Sequence, residues 1–214
     1  MNRALHFVLL LSLVVAGCVG PSKGRRPPPI RPTASGNDAS TRQCLADLGR
    51  IGARYSAVAD QNFGGGCSTR GSIALTATPI PISNIRAIRC PLARALAEWV
   101  RDDAQPAAKK FLGSRIVRVE SFGAYSCRNI IGGNTKLLSE HASANAVDIG
   151  GFVLADGRRV MVKSGWRGDS DEQRFWRAVR GAGCQRFQTV LSPDYNAAHH
   201  DHLHFDLGRG PFCR

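Results

Sequence analysis

Four side chains in two distant stretches place the strongest constraint on how this chain folds. His141-Ala-Ser-Ala-Asn-Ala-Val-Asp148 holds an imidazole and a carboxylate seven residues apart, and His202-Leu-His204 holds two imidazoles two apart. On a strand, residues i and i+2 point to one face, so His202 and His204 address the same space. His, Asp and His suit Zn²⁺ in a catalytic site, where three protein ligands leave the fourth tetrahedral position to water. A further imidazole one strand-step away is placed to move a proton, which completes the equipment of a metal-assisted hydrolase. The competing reading is a surface cluster, His199-His200-Asp201-His202-Leu203-His204, that meets metal only adventitiously. The distant pair argues against it. Asp148 sits inside the apolar run Ala146-Val147-Asp148-Ile149, where a buried carboxylate needs a cation or strong donors.

The N-terminus reads as an export signal. Residues 1–17 carry Arg3 and then an apolar run from Phe7 to Val15, too short to span a bilayer and of the length of a signal-peptide core. The run ends Val15-Ala16-Gly17-Cys18, which resembles a bacterial lipobox, where cleavage precedes a cysteine that is then lipidated. An acylated Cys18 anchors the chain to a membrane without spanning it. The alternative is an ordinary secretory signal with Cys18 incidental, and both readings export the protein. Residues 18–43 form a tether: Pro21, Pro27, Pro28, Pro29 and Pro32 stiffen it toward polyproline II, and Lys23, Arg25, Arg26 and Arg31 make it basic.

Residues 44–214 suffice for one domain with a sizeable core. The whole chain carries a formal net charge of +13, and the part beyond the tether is itself basic. Nucleic acid is the usual partner for such charge. An exported protein meets anionic wall polymer and lipid instead, so no nucleic-acid partner is expected; solubility alone would also account for the charge. Of the seven cysteines, setting Cys18 aside leaves Cys44, Cys67, Cys90, Cys127, Cys184 and Cys213. An even number in an exported domain predicts three disulfides. Proximity in sequence suggests Cys44–Cys67 as one of them. Ligation of metal by cysteine is disfavoured, because no C-x-x-C pair occurs.

Pattern predicts a short helix from about Cys44 to Ala59 and an extended segment from Ser72 to Ile82, confined to a sheet edge by Pro79 and Pro81. Pro91 opens a helix whose apolar stripe is Leu92, Leu96, Trp99 and Val100; Asp102-Asp103 and Pro106 interrupt it, and a second piece runs to Phe111. Arg115 to Phe122 reads as a strand with Val117 and Val119 on one face. Ala146 to Leu154 and Arg159 to Lys163 form a hairpin around Asp156-Gly157 that holds Asp148 rigidly. Ser170-Asp171-Glu172-Gln173 reads as a capping box. It opens a helix with Phe175, Trp176 and Val179 inward, ended by Gly181 or Gly183. Strands follow at Phe187–Leu191 and Leu203–Leu207. With helices dominating the N-terminal half and strands the C-terminal half, the class is α+β with a mostly antiparallel sheet.

Ser139 through Ile149, with Asp201-His202-Leu203-His204-Phe205-Asp206, resembles the extensin-like C-terminal domain family of bacteria. Tyr125-Ser126-Cys127-Arg128 and Phe187-Gln188-Thr189-Val190-Leu191 extend the resemblance, which runs from about Cys44 to Cys213. That family is related to the zinc D-Ala-D-Ala peptidases and the lysostaphin and hedgehog fold group, whose pattern is His, six residues, Asp, then a distal His-x-His. The related peptidases usually have Gly where this chain has Ala144 or Ser143. The resemblance implies a hedgehog or D,D-peptidase-like fold and Zn²⁺ held by His141, Asp148 and His204. It also implies that His202, the first histidine of His-x-His, acts in catalysis. Some related peptidases place an acidic residue three before the last ligand, which makes Asp201 a rival base; a regular strand would turn Asp201 away. Asp206, on the His204 face, is a candidate to hold a ligand imidazole in its tautomer. Arg128 suits a substrate carboxylate or a developing oxyanion, its alternative being a structural ion pair. Ser139 either hydrogen-bonds substrate or caps the loop. The implied activity is a zinc D,D-carboxypeptidase or endopeptidase acting on peptidoglycan stem peptides, as a lipid-anchored periplasmic monomer, on the outer membrane. Its rival is a non-catalytic, zinc-containing wall-binding module. A structural wall protein is disfavoured, since only the tether is Pro-rich.

Overall fold

The computed structural model describes residues 39–131 and 136–214, so the signal, Cys18 and most of the tether lie outside the described residues. Helix α1 (Ala39–Ile51) is followed by strand β1 (Arg54–Ala57), a small hairpin of β2 (Asn62–Gly64) and β3 (Cys67–Ser68), then β4 (Ser72–Ala77) and β5 (Ile88–Arg89). Helix α2 (Cys90–Trp99) continues through a π-helical turn, Val100–Ala104, into α3 (Gln105–Leu112). Strand β6 (Ile116–Gly123) leads to a 3₁₀ turn, Glu140–Ser143, then β7 (Ala146–Leu154), β8 (Arg159–Met161), the short α4 (Val162–Gly165) and the long α5 (Ser170–Arg186). The chain ends with β9 (Thr189–Leu191), β10 (Leu203–Asp206) and β11 (Phe212–Cys213). Among the described residues no helix is long and apolar enough to cross a membrane.

The main sheet runs β11-β9-β10-β7-β6, with β8 beside β7. All its pairings are antiparallel except β11 with β9. One edge of β7 changes partner midway, pairing with β10 over Ala146–Ile149 and with β8 over Gly151–Val153. A second sheet, β1-β4-β5, stands apart in sequence. The class is therefore α+β with a mostly antiparallel main sheet, as expected, although not by the division into halves that the expectation rested on.

Period-2 alternation divides the main sheet into two faces. Val147, Ile149, Leu203 and Phe205 turn toward the helices and belong to the core. Trp99 anchors that core: its ring meets Phe205 at 4.8 Å and Phe152 at 6.0 Å, and its Nε1–H donates to the Val179 carbonyl at 3.0 Å. Phe152 stacks on Trp176, and Phe205 on Phe187. Asp148, His204 and Asp206 alternate with these residues and so face the other way, where the site forms.

Several expectations are corrected. Helix α1 begins at Ala39 and ends at Ile51, because Gly52, at φ 83°, stops it; β1 then occupies Arg54–Ala57, where the helix was expected to continue. Strand β4 is central in its sheet, not an edge, since Pro79 and Pro81 fall beyond its end. A register shift in β6 puts Ile116 and Val119 inward and leaves Val117 half-buried. Asp102-Asp103 do not break the helix; the extra residue of the π-turn absorbs them. The α5 cap is Asp169, whose side chain accepts from the amides of Asp171 and Glu172, one residue before the predicted box. Neither Gly181 nor Gly183 ends α5, which runs to Arg186; at Gly183 a Cβ would press on the Phe205 ring. Helices and strands are not segregated by halves, since five strands precede α2 and the longest helix is α5.

Three disulfides form, as predicted: Cys44–Cys90, Cys67–Cys127 and Cys184–Cys213. The expected Cys44–Cys67 bridge does not occur. Cys44 lies with Leu48 on the buried face of α1, and that face meets the start of α2 at Cys90. Sequence proximity failed there because helix packing, not loop length, decides the neighbour.

Candidate metal centre

Each member of the predicted trio is positioned by a different device. His141 sits in the 3₁₀ turn, which Ser139 caps by accepting from the His141 amide. The turn closes at Ala144, in the left-handed region at φ 54°, a conformation that favours glycine. Asp148 lies in β7 with β6 on one side and β10 on the other. His204 stands directly across the ladder from it in β10. Sheet register thus sets one pair, and a capped turn brings in the third group.

Three donor atoms converge. Asp148 Oδ1 lies 3.0 Å from His204 Nδ1 and 3.2 Å from His141 Nε2, and the two nitrogens are 3.1 Å apart. The outer ring atoms decide what faces inward. His141 Nδ1 is 3.0 Å from the Ala124 carbonyl, which only accepts, so Nδ1 carries the hydrogen. His204 Nε2 is 2.9 Å from the Asp206 carboxylate, so it too carries a hydrogen. In neutral rings both inward nitrogens then present lone pairs to each other and to a carboxylate. His141 is 2% exposed and His204 7%, so water cannot relieve this. Three converging acceptors repel one another unless a cation or a proton sits among them. These residues could hold a metal ion; failing that, a proton must sit on one of them.

The same contacts shift the pKa values of the carboxyl and the imidazole in opposite directions. Burial works against a charged Asp148, but hydrogen bonds and charge from His141 and His204 hold its carboxyl well below the usual range. Burial likewise opposes an imidazolium at His204, yet Asp148 and Asp206 outweigh it and raise its pKa to about 9. Asp206, 5% exposed, has its other oxygen occupied by the Gly208 amide at 2.8 Å. It thus holds the imidazole in the tautomer that aims Nδ1 inward.

His202 lies just before β10, not within it, yet its side chain still reaches the site. Its Nε2 is 3.6 Å from Asp148 Oδ1, and its Nδ1 donates to Asp201 Oδ1 at 2.8 Å. Asp201 therefore lies in the turn before the strand, and its carboxylate orients His202. The Phe122 ring packs edge-on against His202. The histidine tract is thus divided: His200 is exposed, while the His199 ring meets those of both His202 and His204.

A cavity of about 490 Å³ opens over the site, lined by His202, His204, Asp206, Ser139 and Arg128. Arg128 is half-buried and has no carboxylate partner among the described residues, so the structural ion pair considered for it is absent there. Ser139 has the capping role, at the cavity wall. Sequence reasoning missed two residues here. His199 lines the cavity, with Nδ1 bound to Asn196 Oδ1 at 2.7 Å; burial, then the neighbouring His204 and His202, lower its pKa to about 4. It stands five before His204 in a 3₁₀ turn, outside any strand periodicity. Arg209 also lines the cavity and had no signal beyond its flanking glycines.

Residues 42–214 match the family model described as the extensin-like protein C-terminus. No curated protein and no solved structure matches the chain.

Proposed function

The chain belongs to the extensin-like protein C-terminus family, and on that premise we propose that it is a zinc-dependent peptidoglycan peptidase-like hydrolase of the bacterial envelope. One observation carries the reading: three lone-pair donors converge at 3.0–3.2 Å on the floor of a cleft, with a further imidazole beside them. Two nitrogens and an oxygen around a tetrahedral zinc, with bonds of about 2.0–2.1 Å, stand roughly 3.3–3.4 Å apart, close to the spacing here. The kinship with zinc D-Ala-D-Ala peptidases and their fold group is part of this proposal, supported by the His-x₆-Asp and His-x-His spacing.

His141, Asp148 and His204 would hold the ion. Bound there, zinc supplies a Lewis acid for the scissile carbonyl and lowers the pKa of water. The protein's own groups do the rest. Asp201 fixes the Nδ1–H tautomer of His202, which leaves Nε2 free to take the proton of the attacking water. The same nitrogen returns that proton to the leaving amine. Arg128 holds a substrate carboxylate or the developing oxyanion. Asp201 thus acts through His202, and the choice between them as base falls to His202.

The setting follows from the leader and the bridges. The lipobox-like Cys18 tethers the protein, as a monomer, to a membrane facing the periplasm, on the outer membrane; the three disulfides fit an oxidising compartment. The test is to incubate purified peptidoglycan with zinc-loaded protein and read the products by mass spectrometry. Release of a terminal residue or of a cross-link is expected. His202→Ala should retain zinc and lose about 10²–10⁴-fold in rate. Zinc-dependent binding of peptidoglycan without turnover would replace the hydrolase by a wall-binding module.

A further inference from the structure

The charges around the cavity do not balance. Two carboxylates line it, and both are engaged within the protein. Glu140 accepts from Asn145 Nδ2 at 2.7 Å, and Asp206 accepts from His204 and Gly208. Two guanidiniums line it as well, Arg128 and Arg209, and neither has a carboxylate partner among the described residues. Some arginines elsewhere are paired, as Arg159 is with Glu120 and Arg158 with Asp156, while others such as Arg54, Arg86 and Arg115 are not among the described residues, so it is the place of Arg128 and Arg209 on the cavity wall that sets them apart.

Both arginines also stand on fixed backbone. The Arg128 carbonyl accepts from the Ser139 amide at 3.1 Å, and the preceding residue is bridged to Cys67. The Arg209 carbonyl accepts from the Thr189 hydroxyl at 3.0 Å. Its flanking glycines are pressed close: a Cβ on Gly208 would meet the Glu140 carboxylate, and one on Gly210 the Gln188 carbonyl. A guanidinium held on a rigid turn loses less freedom on binding than one on a mobile loop. The walls between are apolar, from Leu138, Leu191, Tyr195 and Phe212.

We propose that Arg209 is a second carboxylate-recognising residue, so that the cleft selects peptides carrying two free carboxylates, one met by Arg128 and one by Arg209. This deepens the hydrolase reading and rests on it for the identity of the cleft. The substrate class it names is a short acidic peptide with apolar side chains between or beside two carboxylates. A peptide with one of them converted to carboxamide keeps its shape but loses a charge-assisted hydrogen bond.

The experiment measures affinity by calorimetry on the zinc-loaded full chain, in a His202→Ala background that suppresses turnover. The probes are a synthetic peptide with a free C-terminal carboxylate and one side-chain carboxylate, its two monoamides and its diamide. Each amidation should weaken binding about tenfold, the size expected for one charged hydrogen bond at a partly exposed site. Arg209→Gln should erase the discrimination at one carboxylate and preserve it at the other; Arg128→Gln should do the reverse. Equal affinity for the diacid and the diamide overturns the proposal, as does an Arg209→Gln variant that still discriminates at both positions. Failure of the hydrolase reading looks different: the diacid binds with the expected pattern, but the His202 protein cleaves no peptidoglycan.

Discussion

Zinc and a single proton should compete for the same three atoms, and the competition sets a measurable pH dependence. In the metal-free protein, the proton that relieves the facing acceptors resides on His204, whose pKa is raised to about 9. Asp148 is already ionised, and the Nδ1 hydrogen of His141 faces the Ala124 carbonyl, away from the three converging atoms. Zinc entry therefore displaces one proton. Below a pH of about 9, the apparent Kd should fall about tenfold for each unit of rising pH, and then level off. Competition against a chromophoric chelator gives the Kd, and calorimetry in buffers of different ionisation enthalpy counts the protons directly. Asp206→Asn removes a carboxylate that raises the His204 pKa, so the plateau should begin at lower pH. The same variant should bind zinc about 10–100-fold more weakly, the usual cost of losing the group that orients a ligand imidazole. A zinc affinity that stays flat between about pH 6 and 8, or release of two protons, would refute the assignment of lone pairs at the site.

The metal-free protein should lose stability as pH rises from about 6.5 to 9, because a folded-state pKa above the unfolded value contributes only while the group is protonated in the fold. The difference, 9 − 6.5 = 2.5, corresponds to on the order of 3 kcal/mol; urea melts of metal-free protein at both ends of the range read it, and an unchanged midpoint would contradict it. Phe205→Ala, at a fully buried ring against Trp99 and Phe187, should cost about 3–5 kcal/mol in the same melts, and zinc should restore part of it by mass action. Thiol titration under denaturing, non-reducing conditions should find none of the six bridged cysteines free, and two or more would count against the pairing. Replacing Cys67 and Cys127 together by Ser should weaken both acidic-peptide and zinc binding, since Arg128 follows that bridge directly and the Ser126 amide beside it donates to the His141 carbonyl; peptide titrations and chelator competition read the two losses.

The site was more legible than the frame around it, for a physical reason. Asp148 inside an apolar run needs a cationic partner wherever the chain goes, and His-x-His shows its face by strand geometry. Those statements are local, and the structure does bring His141, Asp148 and His204 together. Strand β7 was readable to its end residues because Asp156-Gly157 marks the turn that closes it. What failed depended on distance. The Cys44 partner was set by the packing of α1 on α2, and the inward face of β6 by a register shift that leaves no mark in the residue order. His202 reaches the neighbourhood of Asp148 from just before the strand and not from within it, so the alternation argument placed it there through an incomplete geometry. Arg209 and His199 were invisible because a lone arginine between glycines, or a histidine in a 3₁₀ turn, looks like any surface residue until the cavity is assembled.

The ladder that sets Asp148 opposite His204 also orders events in time. The two residues are brought together by pairing β7 with β10, and between those strands lie β8, α4, the whole of α5 and β9. A slip of one residue in β10 would swap Phe205 for His204 on the core face and dismantle the trio at once. No fragment of the chain that ends before β10 can therefore assemble the three donors. A molecule that presents all three donors together has thereby passed a check on its own assembly.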